Sequence, residues 1–248
     1  MPQAGMSQEA RAIIDNLKAQ ANPVNVAGMA RYGISTQGTL GVPVHALRKL
    51  AKLVDRRAVR ANHELAAELW ASGIHEARIL ATIVDNPDLV TRSQMNRWAR
   101  DFDSWDVCDQ ACQNLFRRTP FAFEKAAEWA RARPEFVRRA GFALMAGLAV
   151  KAPVNSRDAP DAAFEAWLPL IAEAATDDRN MVKKAVNWAL RAIGKRNPRL
   201  RRQAVAAAEE IGKLDSRAAR WIASDALREL VGQVGNLRRI GNPPGAGG

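Results

Sequence analysis

This sequence is short of the residues that build disulfide frameworks, metal centres and β-sheets. Only two cysteines occur among 248 residues, Cys108 and Cys112, and they stand four apart on an expected helix. That excludes a disulfide scaffold, and with no third or fourth ligand nearby it gives no zinc site. The reading that remains is two small core residues. The three histidines, His45, His63 and His75, fit no metal motif. Tyrosine occurs once and threonine is sparse, whereas alanine is abundant. This balance favours helix over sheet. The longest apolar run, Ala140 to Val150, is too short to span a bilayer. The N-terminus lacks a charged-then-apolar leader. These absences lead us to expect a soluble, reducing, cytoplasmic setting.

Other chemistries are missing as well. "GTLGVP" (38–43) has glycines but no flanking strand, so it is not a phosphate loop. "DFDSWD" lacks the glycine and the oxygen ligand that an EF-hand needs at its sixth and fifth positions. No G-x-S-x-G elbow is present. No lysine signature suggests a Schiff-base lyase step.

What is present is positive charge. The formal net charge is +11 and the sequence pI is about 10.4. Such a surplus suits a polyanionic partner, most simply nucleic acid. Residues 1–7 and the tail 241–248, "GNPPGAGG", are too rich in small residues, Gly and Pro to order themselves. Between them, residues 8–240 read as one domain of helices with apolar residues at three and four. Helix openings resemble one another: "EARILATIV", "RRAGFALMAGL", "KKAVNWALRAIG" and "SRAARWIASDAL". Their separations scatter around the HEAT-type period of about 40–47 residues. The fold expected is all-α, a curved α-solenoid of degenerate HEAT-like repeats with a concave basic face. Residues 150–160, "VKAPVNSRDAP", read as a loop between helix pairs.

Three helices carry a residue on an unexpected face. In Asn180–Gly194, the core stripe is Val182, Ala185, Val186, Ala189, Leu190 and Ile193. Trp188 lies on the polar side with Lys184, Arg191 and Lys195 as helical neighbours. An indole among three cations suits stacking on a nucleotide while phosphates are held. Packing on the next repeat is the alternative. In Glu135–Val150, Arg139 lies opposite the core stripe of an otherwise apolar helix. A buried guanidinium needs an anion or a set of acceptors, and a phosphate or an internal carboxylate is the anion that suits it.

The third is "RDFDSWDVCD", with Asp101, Asp103, Asp106 and Asp109 around Trp105. Asp103 as N-cap and Asp106 at N3 explain two of these acids. Asp109 lies beyond the first turn and shares a face with Trp105. An indole beside a carboxylate holds a positive group from two sides. A lone carboxylate near a phosphate track is tolerated where a cationic lesion or cationic transition state compensates.

The chain resembles the bacterial DNA alkylation repair proteins of the AlkD type from about residue 27 to residue 230. Four segments carry the resemblance. "MARYGISTQGTLGV" (29–42) is similar to the family's MARY and LGI segments. "SWDVCD" (104–109) matches W-D-x-x-D. "RRAGFALM" (138–145) matches an Arg-containing helix, and "KKAVNWALRAIGKRNP" (183–198) matches K-A-x-x-W-x-L-R. The resemblance implies a monofunctional glycosylase that releases cationic N3- or N7-alkylated purines from duplex DNA, with no cofactor, no metal and a monomeric state. It implies catalytic roles for Asp109, Trp105 and Trp188. It implies DNA contacts from Arg139 (or Arg138) and Tyr32, with Lys184, Arg191 and Lys195 added by their place beside Trp188. The competing expectation is a non-catalytic HEAT-repeat module that binds nucleic acid or protein.

Overall fold

A computed structural model describes residues 6–55, 57–150 and 159–240, with side chains of the last helix described through Gly232. Of the segments expected to lie outside the repeats, residues 1–5, 151–158 and 241–248 fall outside the described residues. Among the described residues all regular structure is helical. The chain divides into two compact units, Met1–Ala122 and Phe123–Gly248, and each is taken by itself.

The first unit holds α1 (Gln8–Ala19), α2 (Pro23–Ala30), α3 (Val44–Ala51), α4 (Val59–Ala71), α5 (His75–Val84), α6 (Arg92–Arg100) and α7 (Trp105–Gln110). Ser7 caps α1 by accepting from Ala10 N and is tied to Glu68 of α4. Asn22 caps α2 through Val24 N and Asn25 N, with Pro23 at the first position, where its missing N–H costs nothing. Helix α5 packs on α3 and α4. An aromatic cluster fixes the turn before α7. Trp70 and Trp98 stack with centroids 4.0 Å apart and planes 3° apart, and Phe102 meets Trp70 edge-on at 6.1 Å. Phe116 closes the cluster against Trp98 and Phe102. Such pairs add about 0.5–1.5 kcal/mol each beyond their buried area.

In the second unit, α8 (Ala122–Ala130) and α9 (Glu135–Ala149) are followed by α10 (Asp161–Glu165), α11 (Leu168–Ala174), α12 (Asn180–Arg196), α13 (Pro198–Gly212) and α14 (Arg217–Ile240). The apolar character of α9 has the expected outcome: every residue from Arg139 to Ala149 is buried. Gly141 lets α9 pass against the end of α8, since a Cβ there would stand 2.3 Å from Ala130 N. All six expected core residues of α12 have no exposure.

Helices α12 and α14 repeat in register. Lys183 lies over Trp221, Asn187 Nδ2 donates to Asp225 and Arg191 Nη1 donates to Glu229. The two hydrogen-bonded rungs each join residues 38 apart, so the helices run parallel at one repeat's spacing. Helices α9 and α12 likewise meet at both ends, through Arg139 with Met181 O and Arg196 with Ala149 O, at separations of 42 and 47 residues. These spacings are those of HEAT-like helical pairs.

Candidate functional site

In the first unit, the site grows from the start of α7. Ser104 is extended (φ −151°, ψ 157°) and occupies the N-cap position, not Asp103 as the sequence suggested. Asp106 is therefore the second helical residue. The physical reason is that its carboxylate does the capping: Oδ1 accepts from Val107 N at 3.0 Å and from Ser104 Oγ at 2.7 Å. His75 Nε2 donates to Oδ2 at 2.8 Å. Burial alone would push the Asp106 carboxyl up, but the His75 hydrogen bond and charge outweigh it and hold the group below its ordinary value. Burial likewise would push the buried His75 imidazole down, and Asp106 reverses this and holds it above its ordinary value.

The other acids of the stretch have partners too. Asp101 Oδ2 accepts from Trp70 Nε1 at 2.9 Å. Exposed Asp103 lies 3.8 Å from Arg78 Nη1. Asp109 stands one turn after Trp105, half-buried, on the same helix. Beyond it the chain opens into a π-turn, Ala111–Leu115. Such turns recur at functional sites because they re-aim the side chains that follow. Cys108 and Cys112 are buried thiols outside any disulfide, as expected of core residues.

The segment 38–42 abuts the same helix starts. His75 N donates to Gly38 O at 2.9 Å. The buried Glu76 carboxylate accepts from Leu40 N, Gly41 N and Val42 N at 2.9, 2.6 and 3.2 Å. The glycine-bearing loop does cradle an anion, and that anion is Glu76. Gly41 is required there: its φ is +81°, and a Cβ would stand 2.3 Å from Asn22 O. Earlier in the same segment, Tyr32 O accepts from Trp105 Nε1 at 3.0 Å. This bond fixes the indole plane and joins two residues predicted from sequence. Tyr32 itself is 73% exposed. The result is a half-buried carboxylate one turn from an oriented indole, with an exposed phenol on the strand of chain that orients it. Such a group can stabilise positive charge.

In the second unit, α12 presents half-buried Trp188 and exposed Lys184. The two other cations beside Trp188 are engaged. Arg191 Nη1 is 2.6 Å from Glu229 Oε2 and 3.4 Å from Asp225 Oδ2, and Lys195 pairs with Glu229 Oε1. Those partners, with burial opposing, hold the Glu229 carboxyl below its ordinary value. Arg139 is 6% exposed and its Nη1 donates to Met181 O at 2.6 Å. Arg138 donates to Ala130 O and to Asp177. Both arginines thus tie α9 to its neighbours.

Sequence reasoning gave no role to His75 or Glu76. Each lies at the start of α5, and a polar pair directly before an apolar helical run was the available signal. Among the described residues there is no cluster able to hold a metal ion. No described helix is long and apolar enough to cross a membrane.

Comparison with known proteins places the chain. A family model described as "DNA alkylation repair enzyme" matches residues 13–230. An uncharacterised protein of Listeria innocua is 24% identical over 200 residues, covering 80% of this chain and 84% of that protein. A solved structure, described as "a new family of proteins related to the HEAT-like repeat DNA glycosylases with affinity for branched DNA structures", superposes with a TM-score of 0.72. It is 20% identical and the match covers 90% of this chain and 95% of that one. The fold is accordingly that of the HEAT-like repeat proteins, and the chain belongs to the DNA alkylation repair enzyme family.

Proposed function

We propose that the chain hydrolyses the N-glycosidic bond of purines alkylated at N3 or N7 in duplex DNA. The observation that supports this best is Trp105, oriented by Tyr32 O one turn ahead of Asp109. Alkylation gives the purine a formal positive charge. The C1′–N bond breaks, its electron pair goes to the base nitrogen, and a neutral base departs. Little acid catalysis is needed. Asp109 stabilises the oxocarbenium-like sugar and orients a water, whose oxygen bonds to C1′ while its proton passes to the carboxylate or solvent. Trp105 supplies a ring face to the positive sugar. Tyr32 contacts DNA from its exposed position.

For the second unit, Trp188 is assigned to a deoxyribose contact and Lys184 to a phosphate. Arg191 and Lys195 already hold Glu229, and Arg139 already holds Met181 O, so each shares its charge and donors with an internal partner. That makes Lys184 the leading cation of the group.

The test is incubation of the protein with duplex DNA containing 7-methylguanine and 3-methyladenine, without added metal or nucleotide. Free methylated purine and an abasic product are expected. Binding without release would favour a second reading, a non-catalytic DNA-binding module. Two observations favour that reading: the structural relative is described by its affinity for branched DNA, and the internal engagement of Arg139, Arg191 and Lys195 leaves fewer phosphate ligands.

A further inference from the structure

The glycosylase reading leaves an aromatic and basic face of α14 unused. Arg217, Trp221, Ser224 and Arg228 are all exposed. At about 100° per residue they fall within about 60° of one another. Trp221 is 41% exposed, unusual for an indole on a helix that buries an apolar stripe. Lys183 Nζ, from α12, stands 5.2 Å from the Trp221 ring centroid. Arg220 borders the stripe and lies 3.3 Å from the fully exposed Asp215.

Charge on α14 is sorted by face. Asp225 and Glu229 turn toward α12, where Asn187, Arg191 and Lys195 engage them. Arg228 also pairs with Asp225. Among the described residues neither Lys183 nor Arg217 has a carboxylate partner. The outward face is therefore cationic around one exposed ring, in a chain of net charge +11.

An exposed indole offers a stacking surface. In a duplex, base faces are covered by their neighbours, so a base can stack there only where it is unpaired. We propose that the face formed by Arg217, Trp221 and Arg228, with Lys183 beside the indole, binds an unpaired stretch of DNA. One base stacks on Trp221, and Lys183 and Arg217 hold flanking phosphates. This contact lies within the second unit and does not require that the chain release any base.

The test compares a labelled oligothymidylate with a blunt duplex of the same length, neither alkylated, by fluorescence anisotropy at fixed salt. Because the probes carry no lesion, absence of glycosylase activity leaves the result unaffected. Trp221→Ala is expected to weaken single-strand binding about tenfold, the scale of one base-stacking contact, and duplex binding less than about twofold. Trp221→Phe keeps a ring and retains most of the affinity. If Trp221→Ala lowers the unfolding midpoint, Arg217→Ala, at an exposed position, carries the same comparison. It is expected to weaken single-strand binding about threefold. Equal losses on both probes, or no loss on either, would overturn the proposal. So would a Glu-rich peptide whose binding falls in Trp221→Ala while oligothymidylate binding does not, which would give the face to an acidic protein segment.

Discussion

The start of α7 and the exposed side of α12 pose the same problem in opposite signs. At α7, four acids surround an indole, Trp105. At α12, three cations surround an indole, Trp188. In both places most of the charges have internal partners. Around Trp105, Asp106 is held by His75 and Ser104, Asp101 by Trp70, and Asp103 lies near Arg78. Around Trp188, Arg191 and Lys195 are held by Glu229. The difference lies in reach. The α7 acids are satisfied by α4, α5 and their own turn, whereas the α12 cations are satisfied by a helix one repeat later. A cluster of like charges, taken alone, is thus a poor guide to ligand binding. Asp109 and Lys184 are the members to which this account gives a role in DNA chemistry.

The largest effect that sharpens this comparison is expected at Glu76, which braces the segment leading to Gly38–Val42. Glu76→Ala strands three amide N–H groups, two of them buried and that of Leu40 partly so. A loss of about 3 kcal/mol or more in urea unfolding is expected. A loss under about 1 kcal/mol would mean that water replaces the carboxylate and that the cradle does not brace the site.

The second effect separates the cations of α12. Arg191→Ala should cost about 1 kcal/mol of stability, because it removes a rung between α12 and α14. Lys184→Ala should leave stability unchanged and reduce the salt slope of duplex binding by about one. The reverse pattern, a binding loss at Arg191 alone, would break the assignment.

The smallest effect concerns pH. Asp106, Glu76 and Asp103 face His75 and its folded value is raised. Its contribution is therefore fully present below the unfolded value near about 6.5 and is lost as pH rises through the folded value. Unfolding midpoints of the wild type should fall relative to His75→Gln across that window. Parallel curves would show that the His75–Asp106 pair is uncoupled from folding.

Much of this architecture is legible in the sequence because it is local. The apolar stripes of α9 and α12 follow from helical periodicity, and their starts at Glu135 and Asn180 agree with the structure. The burial of Cys108 and Cys112 follows from an absence of ligands. The Trp105–Asp109 spacing is one helical turn and needs no tertiary information. Contacts over a repeat's distance are not legible this way. That Glu229 engages Arg191 and Lys195, or that Arg139 bonds to Met181 O, depends on which helices stack and in what register. The first pairing follows the 38-residue offset of α12 and α14, a register carried by whole repeats and not by their openings. The N-cap shifted from Asp103 to Ser104 because a serine in extended geometry leaves Asp106 free to cap from within the helix. Glu76 was missed because a polar pair before an apolar run marks a helix start without telling a buried glutamate from a solvated one.

The central claim is that two carboxylates three residues apart do different work, Asp106 holding structure and Asp109 acting on the sugar. Release of 7-methylguanine from methylated duplex DNA, measured side by side for Asp109→Asn and Asp106→Asn, tests it directly. The account predicts that Asp109→Asn folds, binds DNA and loses base release by about a hundredfold or more. It predicts that Asp106→Asn lowers the unfolding midpoint and keeps most of its release per folded molecule. Full release by Asp109→Asn would contradict the account.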